Sequence, residues 1–373
     1  MYEIGSEELN DLEELFKTKK FFRYQGRDVA THSSLFEKEF SQYLGMKHSL
    51  FVTSGTNALF LALKSLGVGE GDEVIVPSYT FIATITAVLH VGAIPIVASI
   101  GKGLTLDASL ISSKITPKTK AIIPVHMDGY PTDMDSLISI AEVHKLLIIE
   151  DVAQAVGGEY KGRKLGSFGH ASCFSFNVDK IISCGEGGLV AFPEENTYKK
   201  ALMLHDAPVS FGMTYKDYLS DIPREVGFSM RMSEISAVIM RKQLSRLDHI
   251  IQKLRIQKKV LLSQLSIISD KLLEVSDPEG DCSTHIHIRC ADPLQASELA
   301  KSLTEDGVLA TPLYARPVHC FWHWQELLEG GTKDLGRDRI HLSSILRIAV
   351  DYDLSEKALT EKGMKIANTF KEC

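Results

Sequence analysis

The sequence lacks the features that mark secreted and nucleic-acid-binding proteins. Its six cysteines in 373 residues include no CxxC pair and no regular spacing, so we expect reduced thiols. The first residues, MYEIGSEELNDLEELF, contain no basic segment followed by an apolar one, so no signal peptide is predicted. A net charge of −7 without any Lys/Arg-rich block argues against a nucleic-acid partner. These absences favour a cytoplasmic protein.

The sequence also has no uninterrupted apolar run of the length that a membrane helix needs, about 20 residues. The most apolar window, residues 80–100 (TFIATITAVLHVGAIPIVASI), is interrupted by Thr84, His90, Gly92 and Pro95. These residues divide the window into a helix, a turn and a strand, so we predict no membrane segment. No Pro- or Ser-rich linker occurs either, which favours one compact globular unit.

Between Ser49 and about residue 195, short apolar runs alternate with helix-like stretches. The runs SLFVT, DEVIVPS, IPIVAS, KAIIPVH and LLIIED are rich in β-branched residues and nearly continuous, as in strands covered on both faces. Helical patterns such as NALFLALKSLG lie between them. We therefore predict an α/β fold with a mostly parallel sheet sandwiched by helices.

Beyond residue 230 the pattern changes to a helical periodicity of more than thirty residues, MSEISAVIMRKQLSRLDHIIQKLRIQKKVLLSQL. The later segments THIHIRC, VLATPLY and LRIAVDYD alternate with two further helical patterns, which indicates a smaller α+β domain. We predict a large domain over residues 1–240, with an N-terminal helical arm at 1–20. The small domain, 241–373, is entered by the long helix.

Unusual residues follow three of the predicted strands, and open parallel sheets bind ligands at these carboxyl ends. Residues 53–57 (TSGTN) begin a helix after the first strand. A glycine and free N–H groups at a helix start suit a phosphate, although a Ser/Thr residue there also serves as an ordinary helix cap. The sequence contains neither a GxGxxG nor a Walker motif.

The other two strand ends carry acids and a lysine. LLIIED ends at Glu150 and Asp151, and Gln154 follows one turn later, so Asp151 and Gln154 can face the same side. Lys180 interrupts the apolar run FSFNVDKIISCGEGG. A lysine inside a core becomes a neutral, nucleophilic amine, whereas a lysine on an edge strand extends into solvent. Asp151 either faces a ligand or caps the helix that follows it.

Together, these parts are the ones that hold pyridoxal 5'-phosphate (PLP). The phosphate needs a cradle, the pyridine ring needs an aromatic neighbour such as Phe81, and a carboxylate keeps the ring nitrogen protonated. A lysine supplies the Schiff base.

Four stretches resemble the DegT/DnrJ/EryC1/StrS family of PLP-dependent sugar aminotransferases, which has the aspartate aminotransferase fold (fold type I). They are residues 53–97, 119–169, 173–188 (CFSFNVDKIISCGEGG) and 227–244 (GFSMRMSEISAVIMRKQL). The resemblance implies that Lys180 and Asp151 are catalytic and that Lys180 holds the cofactor. Arg231 is the candidate for binding a substrate carboxylate or phosphate, because its planar fork suits bidentate binding; the alternative is an arginine that faces solvent. The cofactor-binding residues that it implies are Gly55, Thr56, Phe81, Asp151, Gln154, Ser175 and Lys180, with Ser229 at a position where the family usually has an Asn phosphate contact.

The resemblance implies transfer of an amino group from glutamate or glutamine to a keto sugar, keto sugar acid or keto cyclitol. Lys180 moves the proton, and PLP alternates with pyridoxamine phosphate (PMP). It also implies a homodimer with shared active sites, in which residues 227–232 reach the partner's site. No metal is expected, because the two His of THIHIRC have no third ligand nearby.

Three other functions fit the same residues less well. Sugar dehydratases of this family have His in place of the lysine. A cysteine desulfurase needs a mobile Cys, for which Cys320 is the candidate. A non-catalytic PLP-binding regulator does not need Lys180, Asp151 and Gln154 together.

Overall fold

The computed structural model describes residues 3–24, 30–207, 209, 215, 218–328 and 335–371. Its helices are α1 (Ser6–Thr18), α2 (His32–Leu44), α3 (Gly55–Ser65), α4 (Ala83–His90), α5 (Ala108–Ile111), α6 (Met134–His144), α7 (Glu195–His205), α8 (Glu234–Ser263), α9 (Pro293–Glu305), α10 (Gly336–Ser343) and α11 (Glu356–Lys371). Its strands are β1 (His48–Val52), β2 (Glu73–Pro77), β3 (Ile94–Ala98), β4 (Thr119–Ile122), β5 (Leu147–Asp151), β6 (Glu159–Tyr160), β7 (Arg163–Lys164), β8 (Ala171–Ser175), β9 (Gly188–Phe192), β10 (His285–Arg289), β11 (Ala310–Pro312) and β12 (Ile345–Ala349).

The central sheet has seven strands in the order β1-β9-β8-β5-β4-β2-β3. The pairs from β8 to β3 are all parallel, and only β9 runs antiparallel to its neighbours β1 and β8. Apolar clusters cover both faces, which explains why the strand sequences are continuously apolar. The predicted mostly parallel α/β sheet is confirmed.

Strand β9 departs from the parallel pattern because of the connection that precedes it. Residues 176–187 join β8 to β9 without a helix, and this segment contains Lys180 and the glycine cluster. A parallel neighbour needs a crossover, usually helical, whereas a short loop returns the chain antiparallel. The Lys180 segment is therefore a loop at the carboxyl end of β8.

The apolar window at residues 80–100 forms α4, a turn and β3, as predicted. Within the described ranges, no helix combines the length and apolarity needed to cross a bilayer. The five cysteines that the structure describes are unpaired, as predicted, and Cys373 lies outside those residues.

The long predicted helix is α8, which has 30 residues and begins after Ser233, whose hydroxyl caps it by accepting from the Ser236 N–H. It packs against α1, α2 and α11. After α8, the antiparallel sheet β10-β12-β11 packs with α9, and α11 packs against α9. This arrangement confirms the smaller C-terminal α+β part, while the boundary at residue 240 stays a prediction.

Candidate active site

A cavity of about 550 Å³ lies between the strand ends of the central sheet and the small C-terminal sheet. Seven of the predicted site residues line it: Gly55, Thr56, Phe81, Asp151, Gln154, Ser175 and Lys180. They come from segments up to 125 positions apart, so folding has assembled one site from the three strand ends named by the sequence. Ser229 and Arg231 are not among its lining residues.

The start of α3 forms the proposed phosphate cradle. The Ser54 hydroxyl accepts from the Asn57 N–H at 3.1 Å, so the cap itself is the ordinary one. The backbone at Gly55 passes close to β8, because a Cβ there would lie 2.9 Å from Cβ of Ser175. This close approach leaves Gly55, Thr56 and Ser175 side by side at a helix N-terminus, where an anion is stabilised.

The two acids at the end of β5 have different roles. Glu150 is fully buried and accepts three backbone N–H groups, from Gly166, Phe168 and Gly169, each at 2.7 Å. It therefore fixes the loop that precedes β8. Asp151, on the opposite face of the strand, lines the cavity.

Asp151 is held in place but lacks a strong cationic partner. Its Oδ2 accepts from the Thr84 hydroxyl at 2.9 Å, and its Oδ1 accepts from the Ala153 N–H at 3.1 Å. Burial raises the pKa of Asp151, and these hydrogen bonds and the charge of Lys180 only partly offset that effect. A protonated ring nitrogen placed against Asp151 would supply the missing positive partner.

Lys180 stays inside the molecule. Its side chain lines the cavity, and among the described residues its Nζ has no hydrogen-bond partner. Burial lowers the pKa of Lys180 despite the nearby negative charges of Asp151 and Asp128. A lysine with a lowered pKa has a larger neutral fraction and is a better nucleophile towards a carbonyl.

The glycines behind Lys180 are required by the loop geometry. Gly185 has φ +90° and Gly187 has φ +153°, in the region that favours glycine. A Cβ at Gly188 would lie only 2.4 Å from backbone atoms of Ser54. The glycine cluster therefore lets the Lys180 loop pack directly against the phosphate cradle.

Gln154 and Phe81 also line the cavity, and their roles beside a cofactor ring stay predictions. Oε1 of Gln154 accepts from the Asp128 N–H at 3.1 Å, which leaves the Gln154 amide N–H groups to act as donors. Phe81 is 43% exposed although it is aromatic, and it lines the cavity. Its exposed ring is available for stacking on a ligand.

The structure places Ser229 and Arg231 beside the end of β1 and outside the cavity of their own chain. Arg231 forms an isolated bridge with Val52, and its Nη1 donates to Asp206 at 2.6 Å. Asp206 is buried, so this guanidinium already has a carboxylate partner within the chain. The roles of Ser229 in cofactor binding and Arg231 in substrate binding stay predictions.

The sequence reasoning missed the residues on the other wall of the cavity. These lining residues are Asp128, Thr284, His285, Arg316, His319 and Arg347. Asp128 follows the predicted strand KAIIPVH, so its strand-end position was a usable signal. The other five lie in the C-terminal part. Thr284 and His285 belong to THIHIRC, which was considered only as a metal site, and no motif marked Arg316, His319 or Arg347.

Two residues considered for other functions are buried. Cys320 is fully buried and its thiol donates to the Leu313 carbonyl; burial raises the pKa of that thiol to about 12. A reactive thiolate is therefore disfavoured, and with it the desulfurase. His287 contacts Asp128 at 3.1 Å and the Tyr130 hydroxyl at 3.0 Å, as a core histidine does.

The cavity residues fit PLP. The tight backbone approach at Gly55 leaves room for an anion at the start of α3, and Asp151 is a buried carboxylate in need of a cation. Lys180 lies in the same cavity with its amine available. The donors, the acceptor and the nucleophile match the phosphate, the pyridinium and the aldehyde of this cofactor.

Comparisons with known proteins agree with this geometry. The chain is 43% identical over 214 residues to GDP-perosamine synthase of Caulobacter vibrioides, an alignment that covers 57% of this chain and 56% of that protein. Among solved structures, 3-amino-5-hydroxybenzoic acid synthase superposes with a TM-score of 0.85 at 28% identity, covering 100% of this chain and 98% of the other.

A second solved structure carries the PMP form of the cofactor. It is ntda from Bacillus subtilis with bound PMP, with a TM-score of 0.82 and 26% identity, covering 97% of this chain and 81% of that one. The model of the DegT/DnrJ/EryC1/StrS aminotransferase family matches residues 2–360. These likenesses confirm the predicted family, the fold type and the aminotransferase class, and the chain belongs to the DegT/DnrJ/EryC1/StrS aminotransferase family.

Proposed function

We propose that this protein uses PLP and PMP to transfer an amino group from glutamate or glutamine to a keto sugar, keto sugar acid or keto cyclitol. The observation that carries the proposal is the single cavity in which Lys180, Asp151 and the start of α3 meet. Membership of an aminotransferase family supports the reaction class. GDP-perosamine synthase, a relative named for a nucleotide-linked amino sugar, supports a sugar as the acceptor.

When bound, the cofactor supplies an electron sink that stabilises negative charge on the substrate carbon. The protein's residues prepare that chemistry. Asp151 would accept a hydrogen bond from the protonated ring nitrogen and keep it charged, and Thr84 and Ala153 fix the carboxylate for this role. Gly55, Thr56 and Ser175 would hold the phosphate, and Phe81 would stack on the ring.

Lys180 acts twice in the proposed reaction. Its amine would hold the cofactor aldehyde when no substrate is bound, and the free amine would remove and return the proton at the reacting carbon. Burial lowers its pKa, which enlarges the fraction of the neutral base form. A group that moves this proton is worth about 10²–10⁴ in rate.

A direct test is covalent labelling of Lys180 in the purified protein. Borohydride treatment followed by peptide mapping should place the cofactor on Lys180, and glutamate should bleach the visible absorption of the untreated protein. Label on another lysine would refute the assignment. Lys180→Arg is the matched control, because it keeps the charge but cannot form the link.

We further propose a homodimer in which residues 227–232 contribute to the partner's site. The segment at residues 223–230 has no helix or strand, and within it Val226 is 85% exposed and Phe228 is 61% exposed. Apolar side chains that remain this exposed are typical of a surface covered by another molecule. The segment lies beside the phosphate cradle, because the Thr53 N–H donates to the Met230 carbonyl at 3.0 Å.

A cytoplasmic location is likewise a proposal, supported by five unpaired cysteines among the described residues.

A further inference from the structure

One wall of the cavity contains a buried carboxylate, Asp128, which follows β4 and lies between two arginines of the C-terminal part. We name these residues the Asp128 cluster (Asp128, Arg316 and Arg347). Nε of Arg347 donates to Oδ1 of Asp128 at 3.1 Å, and Nη1 of Arg316 lies 3.4 Å from Oδ2. The Asp128 side chain is 0% exposed, whereas the Arg316 and Arg347 side chains are 15% and 22% exposed. Both guanidinium groups line the cavity.

The Asp128 cluster carries an excess positive charge. Burial alone would raise the pKa of Asp128, but the charge of Arg347 and the hydrogen bond from His287 hold that pKa well below its usual range. Burial lowers the pKa of His285 and of His287, so both are neutral at pH 7. One carboxylate therefore faces two permanently charged guanidinium groups.

The remaining acids of the cavity do not cancel this excess. Asp151 is the carboxylate assigned to the ring nitrogen, Asp179 is exposed next to Lys180, and Glu186 is exposed and bonded to the Asn177 amide. Removing charge from water without a counter-ion is costly, so the excess charge of the Asp128 cluster favours an anionic ligand.

Hydrogen-bond donors in the same wall also lack acceptors. In the described part of the chain, no group accepts from Nη1 of Arg347. Nη2 of Arg316 lies 3.0 Å from Nε2 of His319, and because arginine only donates, Nε2 must accept and Nδ1 must carry the proton. Nδ1 of His319 is buried and has no partner among the described residues, and His319 itself is 9% exposed. An acceptor is therefore missing beside Arg316.

The Asp128 cluster lies within electrostatic range of the Lys180 amine, which is the proposed reactive group. The positive charge of Arg316 contributes to lowering the pKa of Lys180, and the negative charge of Asp128 opposes that effect, so both lie within electrostatic range of the lysine. Arg347 enters from β12 and Arg316 from the turn after β11. An anionic group bound here would sit next to Lys180, on the wall that the start of α3 does not form.

We propose that Arg316 and Arg347 form a carboxylate site for the substrate, with Asp128 positioning both guanidinium groups. The proposal rests on the aminotransferase function proposed above and requires that one of the two substrates places a carboxylate between these arginines. The carboxylate belongs either to the amino donor or to a keto sugar acid, and both present the same planar pair of oxygens to an arginine.

Binding of glutarate to the purified holoenzyme, measured by calorimetry, tests the site without any turnover. Glutarate has two carboxylates and no amine, and glutaramide is its neutral control. We expect Arg347→Met to weaken glutarate binding about 10- to 100-fold, the loss typical of a charge-assisted hydrogen-bonded pair. Arg289→Met, the same change on the neighbouring strand β10, should leave binding unchanged.

Conservative and second-site variants keep the test decisive. Arg347→Lys should weaken glutarate binding less than Arg347→Met, because the charge remains but the planar fork is lost. If Arg347→Met does not fold, Arg316→Met replaces it with the same expectation. Unchanged glutarate affinity in a folded Arg347→Met or Arg316→Met protein would overturn the proposal.

Single-turnover measurements identify which substrate supplies the carboxylate. If the amino donor supplies the carboxylate, Arg347→Met slows the bleaching caused by low concentrations of glutamate. If the acceptor supplies it, Arg347→Met leaves bleaching unchanged and slows the recovery of colour with a keto sugar acid, but not with a neutral keto sugar. Either pattern supports the site. Failure of aminotransfer itself is distinguishable, because wild-type protein would then bind glutarate but show no bleaching with glutamate.

Discussion

The adjacent acids Glu150 and Asp151 should respond in opposite ways to the same chemical change. Both are buried near the end of β5, but Glu150 accepts three backbone N–H groups and Asp151 faces the cavity. We predict that Glu150→Gln destabilises the cofactor-free protein and that Asp151→Asn does not. Asp151→Asn instead abolishes most of the activity.

The size of the Glu150 effect follows from its contacts. In Glu150→Gln, one oxygen still accepts from Phe168 and Gly169, but the new NH₂ group opposes two donors, the Gly166 N–H and Nε2 of His126, which lies 3.3 Å from the same oxygen. Leaving these buried donors unsatisfied costs about 2–3 kcal/mol. An unfolding entropy of about 2.1 cal/mol/K per residue gives roughly 0.8 kcal/mol/K for the 373 residues, so the unfolding midpoint should fall by about 3 °C.

Asp151→Asn keeps its hydrogen bonds, because Oδ1 accepts from the Ala153 N–H and the new amide donates to the Thr84 hydroxyl. Burial raises the pKa of Asp151 above its ordinary 3.8, so its stabilising contribution is present at acid pH and is lost as pH rises through the folded value. The variant should therefore be as stable as wild type at low pH and more stable at neutral pH.

Thermal unfolding of the cofactor-free proteins, followed by circular dichroism at several pH values, measures both effects. The turnover rate of Asp151→Asn should fall about 10²- to 10³-fold, the cost of removing one electrostatic stabiliser. The reasoning is refuted if Glu150→Gln has the same unfolding midpoint as wild-type protein while the midpoint of Asp151→Asn falls by about 3 °C or more. That result would mean that Asp151 stabilises the fold and that Glu150 binds the ligand.

Three further predictions follow from the site. Lys180→Ala should bind PLP without a covalent link and lose about 10²–10⁴ in turnover, and near-wild-type turnover would contradict its role. Gly188→Ala should lower both stability and PLP affinity, because its Cβ would lie 2.4 Å from backbone atoms of Ser54. Gly336→Ala, where the added Cβ would lie in open space, should change neither quantity. Thermal unfolding and PLP titration measure the two effects. In a third experiment, Lys180→Ala chains are mixed with chains that carry both Arg231→Met and Asp206→Asn. If subunits share their sites, the mixture should regain about one quarter of wild-type activity. Hybrids that form but remain inactive would place Arg231 in its own subunit's site.

The sequence predicts the cofactor side of the site much better than the substrate side. Each cofactor residue lies at the end of an apolar strand or at the start of a helix, and parallel strands bring such ends together whatever the loops between them. Asp128, in contrast, meets Arg316 and Arg347 across 188 and 219 positions. Those contacts depend on how the C-terminal part packs on the central sheet, which no local pattern specifies.

Strand β9 shows the limit of local patterns. Its antiparallel direction was not predicted, because an apolar strand has the same sequence pattern in either direction. Tertiary partners, rather than the residues' own chemistry, decide the direction. The role of Arg231 as a substrate clamp stays a prediction; within its own chain the partner of Arg231 is the buried carboxylate of Asp206.

Asp128 links the two sides of the site through separate parts of one residue. Its backbone N–H holds Oε1 of Gln154 on the cofactor side, while its carboxylate holds Arg347 and Arg316 on the substrate side. Its φ of +51° lies in the left-handed region, which Asp and Asn tolerate better than other non-glycine residues. Asp128→Asn therefore keeps the backbone contact with Gln154 and weakens only the side-chain contacts with Arg316, Arg347 and His287, whereas a β-branched residue disturbs both kinds of contact. Because the backbone and the side chain act separately, the acidic-substrate site can change without loss of the cofactor site.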